Sequence, residues 1–280
     1  MTTRPSYFRV FLTFVRNSLV RDMMFPANFI IETISSFGWV MMNVGFYLLI
    51  FKYTAQIGAG TSEGDAWDKY QFFVFISTSM FINSVVQMFF MTNADEFSEL
   101  IRTGGLDFAL LKPIDTQFLV SLRKIEWASL ANFAVAAALM AYALPRVEGF
   151  HLTIWQVLLY PVYVAAGIAI LYSLTIVLAA LSVWLGRNTS IYDFWFYITT
   201  FSRYPMEIYS GPIGGWLRWG FTFILPVLIV VNVPARMLAK PLRAEYSYLA
   251  LFAIVATVAS LTASRWVFQR ALLSYRSASS

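Results

Sequence analysis

Long apolar blocks alternate with short polar ones along the chain, and the blocks are too long and too evenly apolar for surface helices of a soluble protein. Six of them predict membrane spans at about 20 residues per crossing: 28–51, 70–91, 124–144, 154–185, 189–204 and 246–268. The fourth exceeds what a bilayer requires, which predicts tilt or projection beyond the hydrocarbon. The fifth ends at Arg203, Tyr204 and Pro205. Gly211, Pro212, Gly214 and Gly215 follow, then an apolar run interrupted by Pro226. Short apolar pieces broken by Gly and Pro are the pattern of a re-entrant element, because irregular backbone at membrane depth must be shielded by protein or line a cavity. Residues 205–235 are therefore expected to form a re-entrant hairpin before the last span. The plainer alternative is one ordinary span over 216–233.

Ahead of the first span, Phe8, Phe11, Leu12, Val15 and Leu19 recur at helical spacing, punctuated by Arg4, Arg9, Arg16 and Arg21. A signal peptide would place its charges before a short apolar core and end in small residues. This pattern instead suits a basic amphipathic helix lying in the headgroup plane; a helix packed on protein is the alternative. Pro26 marks the break. The expected organisation is an N-terminal interfacial helix, 1–26, and a membrane domain, 27–280. The fold class is all-α integral membrane, with six transmembrane helices, an N-terminal interfacial helix and a re-entrant hairpin before the last span.

Composition strengthens the membrane reading. Of 280 residues, 59% are hydrophobic and 12% charged, against about 25% charged in soluble domains. Disorder needs the opposite composition. With no cysteine, disulfides, iron–sulfur clusters and thiolate zinc sites are excluded. The net charge is +5, but no basic run marks a nucleic-acid partner; the bilayer is the expected surroundings. The charge is better read through orientation, since Lys and Arg collect in cytoplasmic loops. The N-terminal segment carries four Arg, and the segment between spans two and three carries Arg102, Lys112, Arg123 and Lys124. Arg187 follows span four; Arg270 and Arg276 lie at the end of the chain. The loop between spans one and two, with Gly58, Gly60, Glu63, Gly64, Asp65 and Asp68, and the loop 145–152 are poorer in Lys and Arg. Both termini are thus expected in the cytoplasm of a plasma membrane, a bacterial inner membrane by preference. Arg236, Lys240 and Arg243 go against the rule and flank the anomalous hairpin.

No catalytic constellation is present. The single histidine, His151, sits in a short external loop. There is no HExxH and no Gly-Lys-Ser/Thr phosphate loop, and no cofactor is expected in this chain. Charges in or at the edge of spans are the default functional candidates. Glu32 and Asp193 lie near the cytoplasmic ends of spans one and five, and Arg203 and Glu207 flank the Tyr204-Pro205 break. All six positions, Pro205 included, are candidates for a pathway or gate. Near span ends such charges can also snorkel or pair, for example Glu32 with Arg21 or Arg187. Met41, Met42, Met80, Met88 and Met91 read as packing residues.

The informative polar segment is 93–115, NADEFSELIRTGGLDFALLKPID. Asn93 with Glu96 three residues on reads as a capping-box start, and Gly104-Gly105 ends the helix as glycine does after a last turn. A second short element follows, apolar at Leu106, Leu110 and Leu111, and stops at Lys112-Pro113. It is too short to cross a membrane and too apolar for a solvated loop, so its apolar face needs the headgroup layer or another protein.

Here the sequence resembles the membrane subunits of ABC-2-type ABC transporters. It is similar to the branch marked by an EL-R-G-LD-LLKP pattern after the second span, here Glu99-Leu100, Arg102, Gly104-Gly105-Leu106-Asp107 and Leu110-Leu111-Lys112-Pro113. The likeness extends to the N-terminal helix, Tyr204-Pro205 and the Ile224-Leu225-Pro226 run. It implies that 93–115 is a coupling helix seated on a P-loop ATPase subunit, where ATP and magnesium would bind. It also implies a connecting helix at the N-terminus and a second membrane subunit, identical or related. The implied activity is non-enzymatic: export of a lipid-like, glycan or amphipathic small molecule. The rival readings are an ion-coupled secondary carrier, a membrane-embedded lipid-modifying enzyme and a structural assembly factor. No internal repeat supports the first, and the single His argues against the second.

Overall fold

The computed structural model describes residues 6–58, 65–149, 151–185, 191–240 and 247–275. Arg4, Arg187, Arg243 and Arg276, which enter the charge argument, and Gly60, Glu63 and Gly64 lie outside them. Among the described residues the fold is all-α, apart from Gln56–Ile57 (β1) paired antiparallel with Trp67–Asp68 (β2).

The chain opens with α1 (Tyr7–Met24) and turns at Phe25 into α2 (Pro26–Tyr53), with Pro26 at the first helical position, where its missing N–H costs nothing. Next comes α3 (Lys69–Val86). A π-turn at Gln87–Met91 carries it without a break into α4 (Thr92–Arg102). The short α5 (Gly105–Leu110) and α6 (Thr116–Leu122) lead to α7 (Ser129–Ala143), then α8 (Ile154–Leu185), α9 (Ile191–Thr200), α10 (Gly211–Trp219), α11 (Val227–Ala239) and α12 (Ser247–Ser274).

Four helices among the described residues are individually long and apolar enough to cross a membrane: Phe29–Tyr53, Lys69–Arg102, Ile154–Leu185 and Ser247–Ser274. α10 with its π-turn and α11 make a fifth only if counted as one bent element, for they meet at 89°. Pro226 explains the bend: it restricts Leu225, which is extended at φ −110°, and the helix cannot run through it. A single straight span over 216–233 is therefore excluded, and the bent pair runs to Ala239 rather than ending at 235. Of the expected fifth span, 189–204, the described part is helical from Ile191 to Arg203. α9 has 10 residues and one 3-10 turn, Phe201–Arg203, before Tyr204 extends into Pro205. That is about 20 Å of a hydrocarbon layer about 30 Å thick.

α11 forms the centre. Every residue from Val227 to Ala239 is buried, and the helix's two polar residues, Asn232 and Arg236, are bonded within the protein. α8, α3 and α12 wrap it. Gly167 in α8 is where the backbones come closest: a Cβ there would lie 2.7 Å from the Val230 carbonyl oxygen. A second, smaller core joins the inner ends of α8 and α12 to α4, α5 and α6, through Phe97, Ile101, Leu106, Ala109, Leu119 and Phe268.

Candidate functional site

α4 prolongs α3 into one helix of 34 residues, Lys69–Arg102. At 1.5 Å per residue it is about 50 Å long, so its last turns project well past the hydrocarbon. The capping-box expectation at Asn93 is not met. The helix is already continuous there, and Asn93 is buried with its amide turned elsewhere. Its Nδ2 donates to the Phe89 and Lys124 carbonyl oxygens, at 2.8 and 2.7 Å, and its Oδ1 accepts from Lys124 N at 2.9 Å. Asn93 thus stitches α4 to the 123–128 connection. Glu96, the other half of the expected box, pairs with Lys124 at 2.5 Å.

The glycine turn is as the sequence reads it. Gly104 has φ +74°, the left-handed region that glycine enters without strain, and Thr103 N closes the helix on the Glu99 carbonyl at 2.9 Å. Gly105 lets α5 fold back on α4, since a Cβ there would meet Leu100 Cδ2 at 2.8 Å. The fold-back divides the apolar residues of α5. Leu106 is fully buried and Ala109 nearly so, both in the inner core, whereas Phe108 is 74% exposed, Leu111 81% and Leu110 41%. Leu106 is therefore a core residue, not part of the exposed face expected of it. Phe108 is the residue the sequence reading missed; the step from buried Leu106 and Ala109 to its opposite side was the available signal. Around this apolar tip lie Lys112 and Pro113, both exposed, and Glu99 and Arg102, which pair across α4 at 2.5 and 2.8 Å. Asp107 is half-buried in the first turn of α5.

α1 touches protein along one edge and leaves another open. Tyr7 and Phe14 pack on Phe118, Phe11 approaches Phe89, and the Ser18 hydroxyl accepts from Ile125 N at 3.0 Å. Phe8, Leu12 and Leu19 stay exposed.

At the opposite end of the bundle the second group of candidates divides. Glu207 is buried between charges and rings. Its Oε2 accepts from Trp67 Nε1 at 2.7 Å, and its Oε1 is ion-paired with Arg236. Arg236 also faces Asp65 at 3.6 Å, and the Lys240 ammonium donates to the Asp65 and Ala66 carbonyls at 2.5 and 2.9 Å while lying 4.4 Å over the Trp67 ring. Burial, reinforced by the neighbouring Arg236, pushes the Lys240 ammonium down to about 8, against the pull of Glu207 and Asp65. Pro205 is buried beside this group, and Met206 N donates to the Asn232 side chain at 2.9 Å. Tyr204 is half-buried, and Arg203 lies 4.6 Å over the Phe196 ring. Glu32 and Asp193 do not join. Both are exposed, Glu32 has no ion pair among the described residues, and Arg21 pairs with Asp22 instead. Trp67 was not singled out in the sequence, and Asp65, Arg236 and Lys240 were read only as loop charges, not as site residues; their partners lie up to 175 positions away, beyond any local pattern.

Long apolar helices around a buried central helix, with an exposed apolar element carried beyond the spans, define a multi-pass helical membrane protein. The family described as ABC-2 family transporter protein matches residues 37–279. The chain belongs to that family and is a membrane permease of an ABC-type transporter. Membership implies association with an ABC ATPase. No curated protein and no solved structure matches the chain.

Proposed function

We propose that the chain is one membrane subunit of an exporter for a lipid-like, glycan or amphipathic small molecule. It works with a second, identical or related membrane subunit and a separate P-loop ATPase that alone holds ATP and magnesium. The observation that carries this reading is α5. Leu106 and Ala109 anchor it to the inner core while Phe108, Leu110 and Leu111 stand clear, a small apolar knob of the kind that fills a groove on a partner.

The proposed topology places both termini, α1, α4 and α5 in the cytoplasm and crosses the bilayer six times. Burial of Arg236 and Lys240 against Glu207 and Asp65 supports it, because charges neutralised inside protein do not count among the loop charges that set orientation. The same contacts support a re-entrant α10–α11. Glu207 before it and Arg236 near its end meet at one cluster, so the chain leaves and returns at one end of the bundle. We read that cluster as the fastening of an external cap over the pathway, with Tyr204 and Pro205 at its hinge, and Phe8, Leu12 and Leu19 of α1 as the edge laid on the headgroups.

Co-expression with its own P-loop ATPase, followed by purification through a tag on this chain, tests the reading. The ATPase should co-purify in stoichiometric amount, and transport in reconstituted vesicles should require ATP. Transport driven by a proton gradient with no ATPase present would favour the secondary carrier instead.

A further inference from the structure

Where the inner core meets the membrane, an open cleft of about 490 Å³ lies between the π-turn that follows α3 and helices α6, α8 and α12, a size typical of small-ligand sites. Its depth follows from helix lengths. Tyr172 lies about 27 Å along α8, Arg265 about 27 Å along α12 and Phe90 about 31 Å along the helix begun by α3, all counted from the ends near Asp65. A hydrocarbon layer is about 30 Å thick, so the cleft straddles its boundary with the headgroups, on the face that carries α4 and α5.

The lining is divided to match. Phe90, Phe118, Leu122 and Leu261 make apolar walls. Opposite them runs a polar chain: Arg265 donates twice to the Asp115 carboxylate, at 2.5 and 3.1 Å, and once to Gln117 Oε1 at 2.9 Å. Gln117 Nε2 donates to the Tyr172 hydroxyl at 3.0 Å, and that hydroxyl lies 3.1 Å from Ser121. Both ends of the ion pair are open, Arg265 with 43% and Asp115 with 31% of its side chain exposed.

We propose that this cleft binds a phospholipid of the adjacent leaflet whose headgroup carries both a phosphate and an ammonium. The polar wall offers one cation and one anion of net charge zero. A purely anionic headgroup drawn to Arg265 would leave Asp115 repelled and uncompensated, and a neutral headgroup would use neither charge. A zwitterion satisfies both, phosphate on Arg265 and ammonium on Asp115, with the first methylenes of its chains against Phe118 and Leu261.

The test uses the full chain purified in detergent, without ATPase, so its outcome is independent of the docking reading. Native mass spectrometry is run with equal phosphatidylethanolamine and phosphatidylglycerol. Wild type should retain the ethanolamine lipid in about tenfold preference. Leu261→Trp fills the cleft while keeping every residue of the polar chain, and should reduce that retention about tenfold at unchanged melting temperature. Asp115→Asn leaves a lone cation and should reverse the preference toward phosphatidylglycerol, which a merely structural ion pair would not do. Equal retention of the two lipids by wild type, or undiminished retention by Leu261→Trp, overturns the proposal. An unchanged preference in a folded Asp115→Asn protein overturns it as well. Should Asp115→Asn not fold, the Leu261→Trp result decides.

Discussion

Leu106 and Leu111 sit at the two ends of one short helix and face opposite surroundings, which makes them separable by mutation. Leu106 is enclosed by the inner core, so Leu106→Ala should cost about 2–5 kcal/mol of stability, read as a lower melting temperature. Phe108 and Leu111 touch no core, so Phe108→Asp or Leu111→Asp should leave melting unchanged. Either should weaken ATPase association by roughly 30- to 1,000-fold in a binding assay, the usual cost of charging an apolar anchor. Full binding by both charged variants would remove α5 from the interface. At the other end of the bundle, Arg236 balances two carboxylates away from water. Arg236→Met strands Glu207, and a buried charge left without its partner costs about 3–5 kcal/mol. The double variant Arg236→Met with Glu207→Gln should regain part of that loss in the same thermal assay.

The turn between α4 and α5 depends on one backbone angle. At φ +74°, Gly104→Ala puts an L side chain where it costs about 1–2 kcal/mol. The expected result is a modest loss of stability together with a larger loss of ATPase coupling, because α5 is re-aimed. The clasp on α11 has a pH signature. Lys240 loses its proton near 8 when folded and near 10.5 when exposed, so between those values the unfolded chain holds the extra proton and stability rises with pH. Below 8 both states are protonated and the penalty is constant. The melting temperature of wild type should therefore rise relative to Lys240→Met as pH goes from 8 to 10.5, and a relative fall would contradict the assignment. Asp115 is shifted the opposite way from what burial alone would do. Its bonds from Arg265 and Phe118 N outweigh desolvation and hold its carboxyl below the usual range, so it stays ionised for the α6 cap.

Across the whole molecule, the two ends can be told apart chemically because the chain has no cysteine. Ala55→Cys and Thr103→Cys are both exposed positions at opposite ends of α3 and its extension. A membrane-impermeant thiol reagent should label position 55 from outside intact cells and position 103 only after permeabilisation; the reverse result inverts the topology. Much of this architecture is legible in one dimension. Length and apolar content mark α2, α3, α8 and α12, since each must satisfy its own backbone bonds in hydrocarbon, and Gly104-Gly105 announces the turn because only glycine enters that backbone region freely. The Asn93 pattern misled because a cap is a local signal, whereas its real partner, Lys124, is 31 positions away. The same limit hid the roles of Trp67, Asp65, Arg236 and Lys240: read along the chain, Arg236 and Lys240 look like misplaced loop charges. What the sequence determined by itself is which segments belong in a bilayer and where the chain must turn, both set by hydropathy and backbone sterics over a few residues. Which side of α5 stays open, how α11 becomes the buried centre and which charges neutralise one another were decided only in the tertiary structure, because each depends on groups that come together from distant parts of the chain.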